Sequence, residues 1–278
     1  MLKMFKALYA PVFFVSFVGT AILLVENGAP KWMLPLLFLG AIAVSFASER
    51  LAPYEPAWNQ DKRDSVTNMM HATLNEVALF GAIVTLPLFA RHVAIVQLWP
   101  HSWPLIAQLA IAIVLADLGI TLAHYWSHRV SWLWRLHAVH HAAPRPYGFN
   151  GLMKHPVHQA IEGAFSITPL LLIGASGDVF WLLGFAIGVQ LLLQHSNVDI
   201  IAGRLLYVWA IAPAHRHHHL ASDTRGDVNF GLFLSIWDHM LGTFKFDACA
   251  PREGQVGVAG RPDYPRDYAA HLVEPFRR

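Results

Sequence analysis

Apolar and polar positions fall in long blocks along the chain rather than in short amphipathic repeats. Residues 7–25 carry no charge, and their length matches the roughly 20 apolar residues that cross a bilayer as a helix. Lys3 and Lys6 ahead of this run also fit a signal peptide, but the run exceeds the about 7–15 residues of such a core and no A-x-A site follows it. It is therefore read as a retained span. A turn over residues 26–30, with Gly28 and Pro30, leads to a second apolar run at 32–48 bounded by Lys31 and Glu49, so a helical hairpin is predicted. Residues 49–68 are polar and contain Pro53 and Pro56, the pattern of a solvent-side connection. Runs at 77–90 and 103–123 predict a second hairpin. The stretch 163–194, interrupted at 174–178, predicts a buried or re-entrant helical pair or two further crossings, and the tail after Asp247 shows no periodic apolar face.

These blocks predict an all-α integral membrane protein with about four transmembrane helices and a cytoplasmic helical cap. Lys3, Lys6, Arg50, Lys62, Arg63, Arg129, Arg135, Arg145 and Lys154 fall on the side reached after even numbers of crossings, against Lys31 and Arg91 on the other. Because cytoplasmic loops are enriched in Lys and Arg, the region from His124 onward is expected in the cytoplasm. Basic residues recur from Arg204 through Arg225 to Arg278 on that same side. A bacterial inner membrane location is expected.

Composition sharpens this picture. The chain has 278 residues, 55% of them hydrophobic and only 14% charged, where soluble domains carry about 25%. So few charged side chains make disorder, nucleic-acid binding and an ordinary soluble enzyme poor readings, and a net charge of +2 steers nothing strongly. The single cysteine, Cys249, excludes an internal disulfide framework and a cysteine-ligated cluster within one chain. Histidine is the anomaly: 17 occur, concentrated between His124 and His239.

Three clusters carry helical spacing. His124 and His128 form an HxxxH pair, one turn apart on one face. His137, His140 and His141 form HxxHH, and His215, His218 and His219 repeat it; His217, about 200° round a helix from His215, should point elsewhere. His195, at the end of a long apolar run, is a ninth candidate. A catalytic zinc takes about three protein ligands and a structural one four, so nine nitrogen donors suit two ions with about four or five each. Imidazole suits iron, copper, nickel and zinc alike. His71, His92, His101 and His271 stand alone and are expected at exposed or interfacial positions.

These motifs, in the contexts His124-Tyr125-Trp126-Ser127-His128, Leu136-His137-Ala138-Val139-His140-His141 and His215-Arg216-His217-His218-His219, resemble the fatty acid hydroxylase superfamily, which includes sterol desaturases and sterol C4-methyl oxidases. Asn150, His155-Pro156, Gln194-His195-Ser196-Asn197, Asp227-Val228-Asn229-Phe230-Gly231 and Trp237-Asp238-His239 also resemble its pattern, across about 117–246. His217 and Lys154 depart from it. The resemblance implies a non-haem di-iron oxygenase that uses O2 to hydroxylate or desaturate a lipid, with N-terminal helices at 1–116, a catalytic region at 117–246 and a peripheral tail at 247–278. Two Fe ions are the implied cofactors, with Zn as a replacement in purified protein. With no fused cytochrome b5 domain or Rossmann glycine fingerprint, electrons are expected from a separate ferredoxin or cytochrome b5 type protein with its reductase. An intramembrane zinc hydrolase and a haem-binding electron carrier are the competing readings.

Around the ligands, Asp117 is the most informative candidate, because an acid at membrane depth is costly and tends to have a partner. It shares a face with His124 but lies about 10.5 Å along the axis, so it is expected to orient a ligand histidine from another helix. Asp199, four residues after His195, could bind metal or orient a ligand, and the second is the expectation. Asn150, His155, His158, Asp227, Asn229 and His239 are further candidates for supporting the site.

Overall fold

The computed structural model describes residues 1–93, 95–222, 226–247 and 251–277, without the side chains of 86–93. Arg91, His92, Arg225, Cys249 and Arg278 therefore lie outside the described positions. The described chain is helical, with no strand and only isolated bridges such as Pro53 with Val198. Its order is α1 (Leu2–Glu26), α2 (Met33–Leu51), α3 (Ser65–Val93), α4 (Leu105–Ser127), α5 (Ser131–His141), α6 (Pro156–Leu172), α7 (Gly177–His195), α8 (Ala212–His215), α9 (Ile236–Leu241) and α10 (Tyr268–Val273).

Among the described residues four helices are long and apolar enough to cross a membrane, namely α1, α2, α4 and α7. Three of them, α1, α2 and α4, are the first, second and fourth apolar runs of the sequence. The run at 77–90 falls within α3, part of which lies outside the described side chains, and α7 comes from the stretch 163–194. The stretch 163–194 does form a helical pair: Gly174, at φ +86°, turns α6 back into α7. In α7, unlike the lipid-facing α2, 78% of the most apolar 18-residue window is buried, so it is the bundle's central helix.

Lipid tails are as apolar as leucine, so helices in a membrane associate through close packing, and small residues let backbones approach. Gly119 of α4 lies against the backbone of α6, where an added Cβ would come within 2.2 Å of the Phe165 carbonyl oxygen. Gly188 of α7 makes room in the same way for the Phe38 ring of α2. At the end of α2, buried Glu49 accepts hydrogen bonds from the backbone N–H of Gly148 (2.6 Å) and of Asn197 (3.0 Å). The first hairpin is thereby tied to the two segments that flank the histidines.

The tail after Asp247 is not a loose extension. α10 packs on α3, where His271 Nδ1 lies 3.1 Å from His71 Nε2 and Thr67 Oγ1 donates to the Arg266 carbonyl at 2.8 Å. Both histidines are buried, which corrects the expectation that they are exposed; His101 is exposed as expected. The reason is mutual: each ring supplies the other's hydrogen-bond partner, and His271 Nε2 also reaches the Pro265 carbonyl at 2.7 Å.

Candidate metal centre

Four separate segments converge at one end of the bundle. α4 delivers His124 in its last turn and His128 as the residue that caps it. After Arg129 and Val130, α5 runs the chain back and ends on His137, His140 and His141. α7 terminates at His195. The last segment is not the full helix that its spacing predicts: α8 stops at His215, and hydrogen-bonded turns carry the chain through His218 and His219. The i to i+3 bonds from His218 N to His215 O (2.9 Å) and from His219 N to Arg216 O (3.3 Å) still bring the three rings together.

The nine rings fall into two groups, each able to hold a metal ion. His124, His128, His137, His141 and His218 offer ligand atoms within 4.8 Å of one another, and so do His140, His195, His215 and His219. Each HxxHH motif contributes to both groups. His137 and His141 go to the first with His140 to the second, while His215 and His219 go to the second with His218 to the first.

Backbone carbonyls fix the rings. Nδ1 of His124 faces Phe230 O (2.9 Å), His140 faces Met153 O (2.9 Å), His195 faces Leu191 O (3.1 Å), His215 faces Asn229 O (3.2 Å) and His218 faces Val228 O (2.9 Å). A carbonyl only accepts, so Nδ1 carries the proton and Nε2 presents a bare lone pair. Yet Nε2 of His124 lies 2.9 Å from Nε2 of His218, and Nε2 of His195 lies 3.1 Å from that of His140 and 3.2 Å from that of His215. Lone pairs facing each other repel unless a cation sits between them. Ligands held by metal–nitrogen bonds of about 2.0–2.1 Å, at right angles, stand about 3 Å apart. The residues present fit two metal ions.

Burial, followed by neighbouring histidines, holds His137, His140, His141, His215 and His218 well below the ordinary imidazole range, and His219 likewise through burial and nearby His140 and His128. Neutral rings are what metal ligation requires. Burial also lowers His128, opposed by Asp227, whose Oδ1 accepts from Nδ1 at 2.8 Å. Hydrogen bonding to His128 in turn lowers Asp227. This carboxylate orients the imidazole of His128.

The other supporting candidates divide sharply. Asp117 touches no histidine: it accepts backbone N–H bonds from Leu232 (3.0 Å), Phe233 (2.8 Å) and Leu234 (2.8 Å) and the Trp237 indole N–H (2.9 Å). It anchors the loop whose preceding carbonyl, Phe230 O, holds His124. Asp199 is likewise corrected. α7 ends at His195, so four residues on is no longer one turn on, and Asp199 pairs with Lys6 at 2.7 Å.

Asn229, at φ +57°, donates to Ala214 O (2.8 Å) and Lys245 O (2.7 Å) and lends its own carbonyl to His215. His158 is buried beside the site, with Nε2 2.8 Å from Ser127 Oγ and its ring 4.6 Å from that of His137. His155 caps α6 by accepting from Val157 N (3.2 Å) and reaches Leu272 O, away from the cluster. Asn150 closes the turn Gly148–Leu152 by accepting from Tyr147 N at 3.0 Å. His239 is exposed and stacks on Phe244 at 4.2 Å. His217 points away from both groups, its Nε2 accepting from Asp247 N at 3.3 Å.

Sequence reading missed two features. Asp238, buried, accepts from Phe230 N (2.7 Å) and Gly231 N (2.9 Å), completing the loop that Asp117 holds. Trp134 packs on His128 (4.9 Å) and His141 (5.3 Å). An apolar cavity of about 440 Å³ opens between α3, α4, α6 and α7. Ile120, Leu191 and Leu232 line both this cavity and a small inner pocket bounded by His124, His137, His140, His195 and His215.

The family model for fatty acid hydroxylase matches residues 109–243. The ornithine lipid hydroxylase OlsE of Rhizobium tropici is 32% identical over 252 residues, which cover 87% of this chain and 75% of that protein. The chain belongs to the fatty acid hydroxylase family. Alkylglycerol monooxygenase of Danio rerio is 33% identical over 139 residues (47% of this chain, 30% of its own), and the C-4 methylsterol oxidase erg25 of Schizosaccharomyces pombe is 30% identical over 132 residues (43% and 42%). No solved structure matches the chain. Membership makes it an oxidoreductase of lipids, and the zinc hydrolase and haem carrier readings find no support. The residues matched by the family model span both histidine groups.

Proposed function

We propose that this protein is a membrane-bound non-haem di-iron oxygenase that hydroxylates or desaturates a lipid with O2 and external electrons. The observation that carries this reading is the convergence of imidazole nitrogens into one group of five and one group of four. His124, His128, His137, His141 and His218 would hold one ion, and His140, His195, His215 and His219 the other. Bound iron supplies the O2 chemistry. For hydroxylation, one C–H bond and O2 are consumed with two electrons and two protons, giving one C–OH and one water. The electrons come from a separate ferredoxin or cytochrome b5 type protein with its reductase.

The chain's own residues bind, orient and exclude water. Carbonyls of Met153, Leu191, Val228, Asn229 and Phe230 fix five ring tautomers, and Asp227 fixes His128. Such partners raise ligand basicity as well as setting ring angle. The apolar cavity beside the cluster admits an acyl chain from the bilayer, and the relative named for ornithine lipid favours an amino-acid-derived membrane lipid as substrate. The excess of Lys and Arg in the loops reached after even numbers of crossings supports a centre on the cytoplasmic side of a bacterial inner membrane.

Metal analysis of the purified chain, paired with lipid mass spectrometry of cells expressing it, tests the reading. About two iron ions per chain and a lipid that gains one oxygen atom drawn from O2 are expected. Zinc would occupy the same nitrogens without the redox chemistry, so reloading a zinc-filled sample with iron should restore turnover. A single metal per chain, or turnover that continues without O2, would refute it.

A further inference from the structure

The apolar cavity contains charge that the metal centre does not use. Lys154, just ahead of α6, and Glu162, within it, form an ion pair whose side chains are only 12% and 6% exposed. Both residues line the large cavity and also the inner pocket against the histidines. Lys154 is pinned from behind, its carbonyl accepting from Asn75 Nδ2 (3.0 Å) and facing His71 Nδ1 (3.0 Å). From α3, Glu76 lines the same cavity and has no hydrogen bond or ion pair among the described residues. Placing charges in an apolar wall is costly, and ionisable residues at membrane depth mark ligand pathways.

The charges also have a pattern. A closed Lys–Glu pair is satisfied by itself, so a ligand with one charge would strand the other partner. A ligand bearing both an anion and an ammonium exchanges partners without stranding either, and Glu76 supplies a second acceptor for the ammonium. We propose that Glu76, Lys154 and Glu162 form a headgroup subsite for a zwitterionic amino-acid lipid, with its carboxylate on Lys154 and its ammonium between Glu162 and Glu76. The acyl chain lies along Leu79, Ile83, Phe180 and Leu183. Because Lys154 and Glu162 also wall the inner pocket, the carbons presented to the histidines belong to the headgroup or lie within a few bonds of it. This inference deepens the proposed lipid oxygenase function and rests on it.

The test is binding of a long-chain Nα-acyl lysine to the full-length protein in detergent, followed by native mass spectrometry. Its Nε-acetyl derivative lacks the ammonium and its methyl ester lacks the carboxylate. The parent lipid should bind at least about tenfold more tightly than either, the loss expected for one charge-assisted hydrogen bond. Glu76→Gln should shrink the preference for the free amine and leave that for the free carboxylate. The double variant Lys154→Met with Glu162→Leu should fold, since apolar replacement of a whole buried pair leaves no unpaired charge, and should lose the carboxylate preference. Equal binding of the three lipids, or a Glu76→Gln variant with unchanged discrimination, overturns the proposal. Oxygen insertion into lipids without headgroup discrimination defeats the subsite alone, whereas headgroup-selective binding in a protein that holds no iron defeats the oxygenase reading alone.

Discussion

Asp117 offers the most direct test of how the metal end is built, because one carboxylate holds four donors from a segment more than 110 residues away. Asp117→Ala removes the acceptor for the N–H groups of Leu232, Phe233 and Leu234 and for the Trp237 indole. A buried donor left unpaired costs about 1–3 kcal/mol. Taking the low end for all four, because water can follow the smaller side chain into the space, gives a loss of about 4 kcal/mol. For a chain of this size each kcal/mol moves the thermal midpoint by roughly 2–4 °C, so a fall of roughly 8–16 °C is expected by scanning fluorimetry in detergent. The loop also carries Phe230 O, which fixes the His124 ring, so metal content should fall together with stability. A variant that unfolds within about 2 °C of the parent and keeps its full metal content would show that the loop is anchored by something else.

Three further outcomes are expected. His218→Ala and His140→Ala, one from each group, should each lower the metal content and abolish turnover, while exposed His101→Ala leaves both unchanged; full activity in His140→Ala would refute the assignment of the second group. Six rings outside the spanning helices are held neutral by burial, so the unfolded chain binds protons near pH 6.5 that the folded chain does not. The metal-free protein should therefore lose stability as pH falls below about 6.5, by up to about 1.4 kcal/mol per pH unit for each ring; a thermal midpoint that is flat between about pH 7.5 and 5 would contradict this. A reporter fused after Arg278 should be active only as a cytoplasmic reporter and one inserted near Gly28 only as an exported one, and the reverse would overturn the orientation.

Local spacing carried most of what could be read without a structure. HxxxH and HxxHH place rings one turn apart whether the backbone is α-helical, as at His137 to His141, or a run of tight turns, as at His215 to His219. The same arithmetic says nothing about which group a ring joins, so the division of each HxxHH between two sites emerges only when α5 and the 212–219 segment face each other. Spacing misleads where a helix stops. Asp199 fails as a partner of His195 for that reason, and Asp117 fails because its partners come from a loop with no periodicity of its own. The apolar runs predicted membrane helices well, but hydropathy cannot separate a helix surrounded by lipid from one surrounded by other helices, which is why α7 became visible as the central element only in the fold.

Glu49 has a consequence for how the chain is made. Its carboxylate ends up buried on the N–H groups of Gly148 and Asn197, which are synthesised 99 and 148 residues later. At about 5–20 residues per second, the ribosome takes roughly 5–30 s to supply them. Throughout that interval the end of α2 is favoured to stay in contact with water or with the insertion machinery, since a lipid-exposed unpaired carboxylate is costly. The first hairpin therefore enters the membrane early but docks late, after the segment beyond α7 has left the ribosome. A nascent chain stalled before Asn197 should crosslink from α2 to insertion or quality-control factors, and one stalled well beyond it should not.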